Sequence, residues 1–89
     1  MWKIKYDEKA ARDILKIDRQ AAKRIKKYFD ERIATGEDPR RFGEALAENL
    51  AGLWKYRIGD YRVIVEIQDE RIVVLVLRVG HRSKVYGGH

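Results

Sequence analysis

Between Leu53 and Tyr86 apolar and polar positions alternate in three runs, separated by two clusters of turn formers, Ile58-Gly59-Asp60-Tyr61 and Gln68-Asp69-Glu70-Arg71. A period of two in segments rich in Val, Ile and Tyr predicts three β-strands. Successive strand residues point to opposite faces, so Trp54, Tyr56 and Ile58 share one side of the first strand and Lys55 and Arg57 the other. In the second strand Tyr61, Val63, Val65 and Ile67 oppose Arg62, Ile64, Glu66 and Gln68. One face is thus apolar and the other cationic. The third run, Ile72 to Val79, is apolar on both faces until Arg78, which predicts a central strand covered on both sides. If the three strands pair in sequence order as a meander, Lys55, Arg57, Arg62 and Arg82, joined by His81 and Tyr86, converge on one basic surface.

Upstream, Trp2 to Tyr6 alternates in the same way and predicts a short strand. The period then changes to that of a helix. Asp7 is placed to cap a first helix with an apolar stripe of Ala10, Ala11, Ile14, Leu15 and Ile17; Asp18 is placed to cap a second, with Ala21, Ala22, Ile25, Tyr28, Phe29 and Ile33, ending at Gly36. The close junction predicts an antiparallel helix hairpin. Between Glu37 and Gly52 the proline at Pro39 and the turn-prone neighbours predict a turn with an irregular approach to the sheet, in which Leu46, Leu50 and Leu53 plug the edge of the core. The order β-α-α-β-β-β predicts an α+β fold: an N-terminal strand, an antiparallel helix hairpin and a three-stranded antiparallel meander, with the helices packed on one face of the sheet.

The chain has 89 residues, which predicts a single domain over residues 1–89 with a two-layer core and no room for an internal cofactor cavity. Function is therefore expected at the surface. Lys and Arg number 20 against 14 for Asp and Glu, a formal charge of +6, so a polyanion is the partner to consider first. The cations at Arg19, Lys23, Lys26 and Lys27 are read as a solvated helix face, which any surface helix needs. The absence of cysteine excludes a disulfide framework and thiolate chemistry and fits a reducing cytoplasm; two histidines are too few for a structural zinc site, and no cofactor or metal is expected. The longest apolar run is far short of a membrane span.

Two motifs at this spacing, Leu53-Trp54-Lys55-Tyr56-Arg57-Ile58-Gly59-Asp60-Tyr61-Arg62 and Gly80-His81-Arg82 closing on Val85-Tyr86, together with Pro39-Arg40-Arg41-Phe42-Gly43, closely resemble the RelE branch of the RelE/ParE toxin superfamily. The resemblance covers nearly the whole chain. It implies a bacterial or archaeal toxin of a type II toxin–antitoxin pair that enters the ribosomal A site and cuts messenger RNA there, and a cognate RelB-like antitoxin that wraps the toxin and blocks it. By the same resemblance Lys55 and Arg57 fall at the paired basic positions of the first meander strand, Arg62 at the arginine of the second, and Arg82 and Tyr86 at the arginine and tyrosine near the C-terminus. The alternative it leaves open is a ParE-like toxin that poisons DNA gyrase by binding.

The residue chemistry suits RNA cleavage by the ribose 2′-hydroxyl. Guanidinium forks at Arg57, Arg62 and Arg82 bind phosphoryl oxygens and stay protonated. Imidazole is the side-chain type that exchanges protons near neutrality, which makes His81 the candidate for that task. Tyr86 suits stacking on a base or orienting the attacking hydroxyl.

Overall fold

In the computed structural model, residues 1–46 and 52–83 are described; Leu50 and Tyr86 lie outside them. Each helix starts where the sequence supplies an acceptor for an orphan backbone donor. Asp7 accepts from the Lys9 N–H at 3.1 Å and opens α1 (Glu8–Lys16), and Asp18 accepts from the Ala21 N–H at 3.2 Å and opens α2 (Arg19–Tyr28). Beyond Tyr28 the chain widens into a single π-type turn, Phe29–Ile33, in which the Ala34 N–H reaches back to the Phe29 carbonyl. Phe29 and Ile33 are both fully buried there.

The strands are β1 (Lys3–Tyr6), β2 (Glu44–Ala45), β3 (Leu53–Ile58), β4 (Tyr61–Gln68) and β5 (Val73–His81), in the spatial order β1-β5-β4-β3-β2. The fold is α+β, as the pattern predicts, but the sheet is five-stranded and mixed rather than a simple meander. β3, β4 and β5 are antiparallel in sequence order, whereas β1 lies parallel to β5, with Lys3 beside Val73 and Tyr6 beside Val76. The stretch expected to be irregular holds a 3₁₀ turn at Pro39–Phe42 and the two-residue strand β2, which edges the sheet by pairing with Trp54 and Lys55. The last strand runs to His81, two residues past its expected end, and Ile72 before it sits in the left-handed region at φ 54°.

One apolar face of the sheet receives the helices, α1 against β5 and α2 against β3. Ile25, Phe29 and Ile33 interdigitate with Tyr56, Val63, Val65, Val74 and Val76, all with no exposed surface. Burying such a side chain is worth roughly 1.5–3 kcal/mol. Phe29 meets Tyr56 edge to face at 5.6 Å, and the Tyr56 hydroxyl donates to the Pro39 carbonyl at 2.7 Å, fastening the 3₁₀ turn to the core. Ala11 and Leu15, expected in the buried stripe of α1, are exposed instead, Leu15 at 84%, because α1 turns Ala10 to the core and Ile14 only partly inward. Among the described residues no helix is long and apolar enough to cross a membrane.

The central irregularity is a β-bulge. Val65 pairs with Val76 but Ile64 pairs with Arg78, so Leu77 is an extra residue on β5. Everything beyond it is shifted by one. Val79, rather than Arg78, follows Val76 into the core, and Gly80 stands opposite Arg62.

Candidate functional site

The sheet face turned away from the helices carries the basic positions. Arg57 lies directly opposite Arg62 across β3 and β4, and Lys55 follows two residues along on the same face, opposite Ile64. Opposed residues in such a ladder have Cβ atoms about 4.5–5.5 Å apart. On the other flank of Arg62 the neighbour is Gly80, which places no side chain against it. Arg57 is exposed, whereas Lys55 and Arg62 are half-buried. Lys55 is 3.6 Å from the Glu44 carboxylate, its partner in the β2–β3 register.

Arg82 is brought to the same end of the sheet by its backbone. Its N–H donates to the Asp60 carbonyl at 2.8 Å, joining the end of β5 to the Gly59-Asp60 turn between the strands that bear Arg57 and Arg62. The Arg82 side chain is exposed. The structure therefore gathers Lys55, Arg57 and Arg62 on one face and sets the Arg82 peptide at its rim.

His81 does not join them. It stands opposite Tyr61, whose alternation puts it on the helix side of the sheet, and the two rings meet edge to face at 5.6 Å. The expected convergence of His81 with Arg62 fails because the Leu77 bulge reverses the alternation of the last residues of β5. The His81 Nδ1 instead faces the Ser83 hydroxyl at 2.9 Å and accepts from the Ser83 N–H at 3.3 Å.

Two supports of this region have no signature in the sequence pattern. Asp13, on α1, accepts from the Arg78 guanidinium at 2.9 and 3.3 Å and from the Val79 N–H at 2.9 Å, tying α1 to β5 just past the bulge. Burial pushes the Asp13 carboxyl up, but these donors outweigh it and hold the group below the usual carboxylate range. The second is Arg24 of α2, whose guanidinium lies over Gly59. That glycine has φ +62°, and a Cβ on it would come within 2.6 Å of Arg24 Nη1. Among the described residues no group of three or more His, Asp or Glu side chains is arranged to hold a metal ion.

Such a surface can grip a phosphodiester: several cations, two of them facing guanidinium positions, with a third arginine at the rim. Comparison with known proteins gives the surface a context. A family model described as the ParE toxin of the type II toxin–antitoxin system parDE matches residues 4–86. Toxin RelG of Mycobacterium tuberculosis is 43% identical over 49 residues, covering 55% of this chain and 56% of RelG. Toxin RelE of the same organism is 39% identical over 49 residues, covering 55% of this chain and 50% of that protein. The chain spans about half the length of the curated relatives it matches. Among solved structures, the toxin–antitoxin complex RelBE2 from M. tuberculosis contains a chain that superposes with a TM-score of 0.81 at 29% identity, over 93% of each chain. The isolated E. coli RelE toxin superposes at 0.72 and 24% identity, over 99% of this chain and 94% of that one, a likeness of fold alone.

Proposed function

The chain belongs to the ParE toxin family of type II toxin–antitoxin systems, and on that footing we propose that it is a ribosome-dependent mRNA endonuclease that cuts within the ribosomal A site and so arrests translation in the cytoplasm. The observation that carries this reading is the facing pair Arg57 and Arg62, with Lys55 beside them, on the sheet face away from the helices. Poisoning a protein by binding does not need a phosphate-gripping face of this kind. The similarity to Toxin RelG and Toxin RelE across 49 residues supports it.

The proposed reaction needs no metal. The ribose 2′-oxygen gives up its proton and attacks the adjacent phosphorus, the bond to the 5′-oxygen breaks, and that oxygen takes up a proton. The products are a 2′,3′-cyclic phosphate and a 5′-hydroxyl. Arg57 and Arg62 hold the phosphoryl oxygens and stabilise the charge that builds on them. Arg82, at the rim, adds a third guanidinium; a side chain of this kind holds its proton, which fits charge stabilisation ahead of proton donation. Lys55 is a further cation on the same face, held near Glu44. Tyr86 is assigned to stacking on a base or orienting the attacking hydroxyl. His81, on the other side of the sheet, acts as an accessory and takes no proton from the 2′-hydroxyl. Ribosomal RNA and the A-site codon complete the positioning that a small open site lacks.

The proposed partner is a RelB-like antitoxin forming a heterocomplex, the free toxin being a monomer. A toxin–antitoxin complex among the solved neighbours, RelBE2, supports this. A second reading, a ParE-like toxin that binds DNA gyrase, has the description of the matching family in its favour. Primer extension on a defined mRNA in a reconstituted translation system separates the two. Cuts within A-site codons that require both ribosomes and Arg82, lost in Arg82→Ala, are expected. Intact mRNA alongside accumulating gyrase–DNA cleavage complexes would reverse the assignment.

A further inference from the structure

Three clefts on the helix side of the molecule share residues and run into one another. The first, of about 650 Å³, lies between the end of α1 and the end of β5 and is lined by Lys16, Tyr61 and His81. The second, of about 380 Å³, shares Asp18 and Tyr61 with it and reaches Arg24. The third, of about 270 Å³, shares Arg24 and adds Lys27 and Arg57. Together they trace a groove along the seam between α2 and the end of the sheet that carries the Gly59-Asp60 turn. Arg57 belongs both to this groove and to the basic face on the other side of β3.

Its charge is one-sided in effect. The carboxylates at its head are engaged, Asp13 by Arg78 and the Val79 N–H, Asp18 by the Ala21 N–H that it caps. Glu31 lies at the far end. Arg24, Lys27 and Arg57 form no ion pair among the described residues. Arg24 is held over the turn because Gly59 leaves space for its guanidinium. Tyr61 and His81, half-buried and edge to face, supply ring surface at the head of the groove. Cations at successive points with aromatic rings between them form the combination that follows a single-stranded nucleic acid backbone and receives its bases.

We propose that this groove binds single-stranded RNA flanking the cleaved nucleotide, leading the strand over Arg24 and Lys27 past Arg57 to the basic face. The inference rests on the endonuclease reading for the identity of the strand, and it assigns a function to Lys27, otherwise read as part of a solvated helix face, and to Arg24.

The test separates binding from cutting by using a short fluorescein-labelled 2′-O-methyl RNA, which has no 2′-hydroxyl to attack. Fluorescence anisotropy across a salt series is compared for wild type, for Arg24→Gln with Lys27→Gln, and for a control of equal charge change outside the groove, Lys9→Gln with Lys23→Gln. The groove variant is expected to bind roughly 10-fold or more weakly, and its slope of log affinity against log salt to fall by about 1.4, the release expected for two phosphate contacts on a single strand. The control is expected to change affinity less than about 2-fold. Equal losses in both variants, or none in the groove variant, overturn the proposal. So does a groove variant that keeps RNA affinity but loses the antitoxin, since the groove would then belong to a protein partner. A wild type that binds the RNA through Arg24 and Lys27 yet cuts no ribosome-bound mRNA supports the groove while ending the endonuclease reading. Matching thermal unfolding midpoints, and recovery of binding in Arg24→Lys, show that the loss does not come from misfolding.

Discussion

Arg57 and Arg62 occupy directly opposite positions in the β3–β4 ladder, so that two permanently charged side chains leave the same side of the sheet from adjacent strands. Like charges so placed oppose folding by roughly 0.2–1 kcal/mol. A stable sheet would put an opposite charge or a β-branched residue at one of them. The arrangement makes sense where an anion is to be held between the two.

Replacing one member should therefore separate stability from activity. Arg57→Thr is expected to raise the free energy of unfolding by about 0.2–1 kcal/mol in urea titrations. The same change is expected to lower ribosome-dependent cleavage about 10²-fold or more, the usual loss for one positioned donor at a developing charge. A variant less stable than wild type and equally active would contradict both expectations.

Asp13 gives the acid limb of stability. Its folded-state pKa lies below its unfolded value, so its contribution is fully present above the unfolded pKa and is lost as pH falls through the folded one. Asp13→Asn keeps the shape but loses the charge-assisted bonds to Arg78 and Val79, and is expected to cost about 1.5–3 kcal/mol at neutral pH. The gap between the two proteins should close on acidification below pH 4. Equilibrium unfolding as a function of pH measures it, and a gap independent of pH would show that the carboxylate charge is irrelevant.

The Tyr56 hydroxyl is the buried fastening of the 3₁₀ turn. Tyr56→Phe preserves the ring contacts with Phe29 and Tyr28 while leaving the Pro39 carbonyl without that donor. A loss of about 1–3 kcal/mol is expected, with hydrogen exchange accelerated first around Pro39–Phe42.

Two glycines should behave oppositely. At Gly43 a Cβ would stand 2.8 Å from Tyr56 Cε1 and 2.9 Å from the Lys55 carbonyl, against a buried ring and backbone. Gly43→Ala is expected to destabilise by about 1–3 kcal/mol and to disturb Lys55. At Gly36 nothing lies within 4 Å and the backbone is not left-handed, so Gly36→Ala is expected to be neutral or stabilising by about 0.4–1 kcal/mol. Thermal melts of the pair test the contrast.

Local signals made much of the fold legible. Asp7 and Asp18 announce the helix starts, and Gly59-Asp60 with strict alternation on either side announces the β3–β4 hairpin and puts Lys55, Arg57 and Arg62 on one face. What stayed hidden is non-local. In the run Val73-Val74-Leu75-Val76-Leu77 every residue is apolar, so no change of period marks Leu77 as an extra residue, and the face taken by His81 could not be read from parity. The parallel place of β1 depends on a partner some 70 residues away. Arg24 looks like any cation on a polar helix face until the turn glycine beneath it is seen.

The parallel pairing of β1 with β5 also sets the order in which the molecule can come into being. Among the described strands β1, made before the helices, has its sheet partner in β5, made after β4, and β5 lies between β1 and β4, so it closes the sheet from within. A nascent chain lacking β5 has neither a docking place for β1 nor the neighbour that flanks Arg62. Loop-closure entropy of this span falls late on the folding path. The basic surface is thus expected to assemble only once β5 has been made, so that a toxin with the activity proposed above would stay inert on the nascent chain until that strand is in place.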